Sequence, residues 1–292
     1  MRLSGRRESS NVEDRRGMST GAKAGIGGIG AVIVAALFAW ISGGDPMQAG
    51  LQAFQEQMQQ QGTETVNPEN FTEEEQELAK LSSQILAGTE DVWTRVFKEQ
   101  GLGNYTPPTL VLFSNAVQSA CGNATAAVGP FYCSGDQKLY IDLSFFTQMK
   151  RQLGVEGSEF GYAYVIAHEI GHHVEYLTGT LGKAHQAMNQ TNKTDANKIS
   201  VRLELLADYY AGVWAHYDNE MFQSMELGDL EKGLELAKAI GDDWLQKKAQ
   251  GRATPESFTH GTSDQRKRWL RMGFQTGDMS TSTFAVQNYN DL

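Results

Sequence analysis

Cysteine is scarce in this chain of 292 residues, which has two, Cys121 and Cys133, and no C-x-x-C pair. Zinc modules built on closely spaced thiolates are therefore excluded. A basic surface is lacking too. The formal net charge is -10, and nucleic acid is excluded as a partner because phosphate binding needs clustered lysine and arginine. There is no internal repeat. Long apolar runs are absent except for one near the N-terminus.

That run follows a basic stretch. Residues 1–23 hold six arginines and lysines against three acids, so the remainder carries -13. Residues 24–44, AGIGGIGAVIVAALFAWISGG, have no charge. At about 1.5 Å per residue they reach roughly 31 Å, enough to cross a hydrocarbon core. A secretory signal peptide competes with this reading. The leading segment is long for one, however, and no clear A-x-A cleavage site follows. The expectation is a basic head (1–23) kept inside, one transmembrane helix (24–44), a Gln-, Gly- and Glu-rich spacer (45–71) and an acidic exported domain (72–292). In an exported domain Cys121 and Cys133 read as a disulfide; the alternative is two buried thiols.

From Thr72 the apolar spacing turns helical, and Thr72 with Glu75 forms a capping box. Thr109 to Phe113 reads as a strand. A hairpin follows, with one strand ending at Cys133 and the other spanning Lys138 to Asp142. Phe145 to Leu153 suggests a short helix, and Glu159 to Leu177 a longer one with a stripe of Ala163, Ile166, Ala167, Ile170, Val174 and Leu177. Residues 179–192 read as loop. Further helices are expected from Thr194 or Asp195 to Tyr217, from Asp229 to Gln250 and from Ser263 to Gly277. The class is α+β, mostly helical with a small sheet.

The chemistry concentrates in AHEIGHHVEYLTG, Ala167 to Gly179. His168 and His172 lie four residues apart, hence on one helix face, about 5–6 Å apart at Cβ. Two imidazoles so placed can converge on one zinc ion, and Glu169 can reach a water there as base; this is H-E-x-x-H. Gly171 leaves room between the ligands. A bland alternative is an exposed polar helix face. The H-x-x-G-x-x-H continuation of another peptidase class is missing, since Glu175 stands where its glycine would be. The third ligand must come from elsewhere. In RLELLADYYAG, Glu204 and Asp208 are one turn apart inside an apolar run, where acids stay only if paired or on a metal. Glu204 is the candidate third ligand, and Asp208 the acceptor of a ligand histidine's second N–H. In SFTHGTSDQRKRW, His260 could stabilise an oxyanion or be a surface loop residue. Arg266 could pin Asp208 or Glu204, or sit in solvent. His173 points about 100° away from His172 and gets no ligand role.

HEIGHH, ELLADYYAGVW, SFTHGTSDQR, GPFYCSGDQKLYIDLSFF and the head RLSGRRESSNVEDRRG together resemble the bacterial neutral zinc metallopeptidases, over nearly the whole chain. The order HExxH, ExxAD, THG also resembles the membrane peptidases related to CAAX-processing and heat-shock zinc proteases. Those carry several transmembrane segments and THP in place of THG. The resemblance implies a single-pass protein of the bacterial cytoplasmic membrane. Its gluzincin-like, zincin-fold domain would be periplasmic or extracellular. It implies one zinc ion per chain held by His168, His172 and Glu204, with Glu169 as base and Asp208 behind a ligand histidine. The implied activity is hydrolysis of a peptide or protein substrate.

In that reading His260 is the first candidate to hold the oxyanion, with Tyr209 and Tyr210 weaker. The strand Lys138–Asp142 would offer an edge to an extended peptide, bordered by Tyr140 and Asp142. The rival is a membrane-tethered zinc-binding chaperone-like or scaffolding module. Three N/O ligands plus a base favour catalysis over a closed structural site.

Overall fold

A computed structural model describes residues 1–17, 71–147 and 158–292. The strands are β1 (Val12–Asp14), β2 (Thr109–Phe113), β3 (Ala116–Ser119), β4 (Gly122–Thr125), β5 (Phe131–Cys133) and β6 (Lys138–Asp142). The helices are α1 (Glu73–Glu99), α2 (Glu159–Leu177), α3 (Thr180–Asn189), α4 (Lys193–Phe222), α5 (Asp229–Ala239), α6 (Asp242–Gln250) and α7 (Ser263–Thr276). The fold is α+β and mostly helical, as its patterning predicts.

Local chemistry sets most boundaries. Thr72 and Glu75 form the expected capping box at α1. Ser158 caps α2 by accepting from the Gly161 amide at 2.9 Å. At α4 the cap is Asn192, which accepts from Asp195 N at 3.0 Å, so the helix starts slightly before the predicted Thr194 or Asp195. Two expectations are corrected. The stretch 179–192 is not loop: α3 forms there because Leu181 and Ala184 bury against Leu203 of α4. The single helix expected over Asp229–Gln250 is two. The chain leaves the helix at Ile240 and Gly241, and the Asp242 amide donates to Gly261 O at 2.9 Å. Of the helix predicted at Phe145–Leu153, residues 144–147 are helical and the rest lies outside the described residues.

The main sheet has the order β1-β2-β6-β5. β1 and β6 run parallel to β2, and β5 is antiparallel to β6. The predicted peptide edge is therefore corrected. Lys138–Asp142 is interior, and β5 is the edge. Tyr140 donates to Asp136 Oδ2 at 2.7 Å and stacks on Phe131; Asp142 is buried and accepts from the Asn115 and Ser144 amides. Both are sheet-packing residues. β3 and β4 form a separate hairpin, and the Cys121–Cys133 disulfide joins its tip to β5.

The core lies among α1, α2, α4, α7 and the inner sheet face, with Trp93, Trp214, Tyr164, Phe146 and Phe160 fully buried. Residues 1–17 belong to this unit and do not form a head set apart from it: Leu3 is buried in the core and β1 pairs with β2. Among the described residues no helix is long and apolar enough to cross a membrane. The anchor expected at 24–44 and nearly all of the spacer lie outside them.

The tightest helix contact joins α4 and α7, where a Cβ on Gly273 would sit 2.0 Å from Tyr209 O. Gly273→Ala must push the helices apart, with an expected cost of about 1–3 kcal/mol in chemical denaturation. An unchanged unfolding free energy would contradict this packing.

Candidate metal centre

The site forms where α2 crosses α4. A Cβ on Gly171 would meet Ala207 O at 2.8 Å and Ala207 Cα at 2.9 Å. A side chain there would hold the two backbones apart. Gly171 precedes His172 and Ala207 precedes Asp208, so the contact lies inside both motifs. The room left by Gly171 is filled by the neighbouring helix.

This approach carries Glu204 to the two histidines. His168 Nε2 is 3.2 Å from Glu204 Oε2, and His172 Nε2 is 3.6 Å from Glu204 Oε1. One donor atom from each of the three residues falls within 4.8 Å of the others. Two donors bound tetrahedrally at about 2.05 Å to one zinc ion would be about 3.3 Å apart. The observed spacings, and a set of two imidazole nitrogens with one carboxylate, fit zinc.

Each of these histidines has a carboxylate behind it. Asp208 Oδ1 lies 2.9 Å from His168 Nδ1. Asp208 also takes Arg266 Nε at 2.8 Å, Arg266 Nη2 at 3.0 Å and the Tyr164 hydroxyl at 2.6 Å, all in buried surroundings. Of the three predicted places for Arg266, the structure selects the pairing with Asp208. Glu175 Oε2 lies 2.9 Å from His172 Nδ1 and is fully buried. Such partners fix the ring so that Nε2 faces the ion. Sequence reasoning missed Glu175. Its i, i+3 spacing from His172 was the available signal.

Burial and charge compete here. Burial opposes the charge on His168, but Asp208 and then Glu204 outweigh it and push the imidazole up to about 10. Burial likewise opposes charge on His172, but Glu204 and Glu175 push it up to about 9. Asp208 is disfavoured as an anion by burial, yet Arg266 and His168 bring it down to about 2. Glu204 is lowered as well, with His260, His172 and His168 overcoming its burial. Burial raises Glu169 despite the pull of His172 and His168. Burial also raises Glu175, to about 7, against the pull of His172.

His260 comes to the same place. Its Nε2 is 3.8 Å from Glu204 Oε1. The buried Asp242 at the start of α6 accepts from the Thr259, His260 and Gly261 amides at 2.8, 2.7 and 3.1 Å, which fixes this loop. Nothing in the sequence marked Asp242. Tyr209 lies away from the cluster, bonded to Thr276 and Asp278 O. His173 is fully buried, between the Tyr132 hydroxyl at 2.9 Å and Thr106 O at 2.7 Å. It ties α2 to β5 instead of facing solvent.

Two histidines one helical turn apart, a glutamate from a second helix and an acid beside the first histidine define a zinc-peptidase-type centre. The chain belongs to the family described as "Putative neutral zinc metallopeptidase", which matches residues 1–284. It is 44% identical over 287 residues to "Uncharacterized protein YpfJ" of Escherichia coli K12, covering 95% of this chain and 96% of that one. It is 42% identical over 186 residues to "Uncharacterized protein Rv2575" of Mycobacterium tuberculosis H37Rv, covering 61% and 62%. No solved structure matches.

Two outcomes are expected. Gly171→Ala keeps every ligand but separates the helices, so zinc titration should show weakened binding; unchanged affinity would break the link between contact and site. At pH 7 the ion-free histidines lie below their raised midpoints of about 10 and 9 and hold protons. Zinc uptake should therefore release about two protons, and affinity should rise with pH. Calorimetry in buffers of different ionisation enthalpy reads this directly.

Proposed function

We propose that this protein is a zinc-dependent peptidase that hydrolyses peptide bonds in a protein or peptide substrate. The observation that carries the reading is the meeting of His168, His172 and Glu204 beside a half-buried Glu169. His168, His172 and Glu204 would hold one zinc ion per chain. Bound there, zinc would polarise the scissile carbonyl and acidify water.

The chain's own groups supply the rest. Glu169 takes the proton of the attacking water and returns it to the leaving amine; burial raises its pKa towards that task. His260, aimed at the Glu204 side of the cluster, donates to the oxyanion. Asp242 holds the His260 loop rigid. Asp208 and Glu175 orient the ligand rings. β5 ends the sheet order, and its Tyr132 hydroxyl meets His173 on the helix that carries Glu169, so an extended peptide would align along this edge beside the base. A membrane-bound setting in a bacterial envelope belongs to the same reading. It rests on the uncharged run at 24–44.

Glu169→Gln should abolish peptide cleavage and retain zinc, as read by fragment profiling of envelope proteins alongside the metal content. Wild-type cleavage by that variant would remove the base. Glu204→Ala should lose zinc. His260→Ala should lower kcat about 10²–10³-fold with little change in KM. Chelation should stop cleavage reversibly without unfolding. Unfolding on metal loss would favour the structural-zinc rival.

A further inference from the structure

The N-terminal segment fits the domain as an integral part. Arg6 lays its guanidinium on Asp218 of α4, with Nη2 at 2.6 Å from Oδ1 and Nη1 at 3.0 Å from Oδ2. Asp218 is fully buried, and Arg6 is the one cation paired with it among the described residues. Gly88 of α1 makes room for this pair: a Cβ there would lie 2.8 Å from Arg6 Nη2. Two residues on, Glu90, also buried, accepts from Ser9 Oγ at 2.5 Å and Asn11 Nδ2 at 2.7 Å and pairs with Arg7 at 3.0 Å. β1 covers the β2 edge in register from Val12 on Leu110 to Asp14 on Leu112. Glu13 takes Lys138 of β6 at 2.6 Å.

These are buried charges whose partners sit on different sides of the apolar run 24–44. A single crossing by that run would place residues 1–17 and the domain in different compartments. Asp218 and Glu90 would then be buried without the groups that neutralise them, which is strongly unfavourable. Neither residues 45–70 nor the described helices offer a return crossing. Residues 45–70 hold no second apolar run, and among the described residues no helix qualifies.

We propose that residues 1–17 and the zinc-site domain occupy the same side of the membrane. A single crossing between residue 17 and residue 71 is incompatible with these contacts. The inference is independent of the peptidase reading.

The test uses the full-length chain in its host membrane, with Cys121 and Cys133 replaced by serine. Ser10→Cys or Leu227→Cys, both at exposed positions, is then the only thiol. A membrane-impermeant maleimide is applied before and after permeabilisation. Both thiols should respond alike, either labelled in intact cells or protected until permeabilised. One labelled and the other protected would overturn the proposal. With the native cysteines kept, purified full-length Arg6→Ala should lose roughly 5–15 °C in thermal midpoint, and Arg6→Ala with Asp218→Asn should cost less than the two separately. An unchanged midpoint for Arg6→Ala would equally overturn it.

Discussion

The close approach of two helix backbones at Gly171 and Ala207 is the constraint on which the site depends. On α2, i, i+4 spacing puts two imidazoles on one face; on α4, the same spacing puts Glu204 and Asp208 on one face. Neither face is a metal site by itself. They come together as one candidate metal site because nothing larger than hydrogen separates α2 from the Ala207 backbone. The Gly273 contact performs the same service between α4 and α7, and it brings Arg266 within 2.8 Å of Asp208.

The two carboxylates behind the histidines are not equivalent. Asp208 is held ionised by Arg266 and is also hydrogen-bonded by Tyr164, so His168 faces a fixed negative charge. Among the described residues no arginine pairs with Glu175, and burial pushes it up to about 7 against the pull of His172. His168 is thus set against a permanent anion, and His172 against a carboxylate that burial pushes up to about 7. Burial raises the stakes of both, because an uncompensated charge in this interior is costly.

The small sheet links the site to the start of the chain. Its β5 edge carries Tyr132, whose hydroxyl meets His173, and the disulfide ties that strand to the β3–β4 hairpin. Its opposite edge is β1, supplied by residues 12–14. The basic composition of residues 1–23 reads as a head retained by charge. In the folded chain, Arg6 and Arg7 are spent on Asp218, Glu90 and Asp91.

The sequence by itself determined the features governed by local geometry. It specified the helix that presents His168 and His172, the acids one turn apart on a second helix, the capping box at Thr72 and the strands at Thr109–Phe113 and Lys138–Asp142. Spacing along a helix or strand fixes side-chain direction whatever the surroundings. Tertiary structure alone decided which strand became the edge, that α3 is a helix, that α5 and α6 are separate, that Asp242 holds the His260 loop and that the first residues join the domain. Each of these depends on which backbones and buried charges come into contact. Periodicity carries no record of that, because the partners lie tens or hundreds of residues apart.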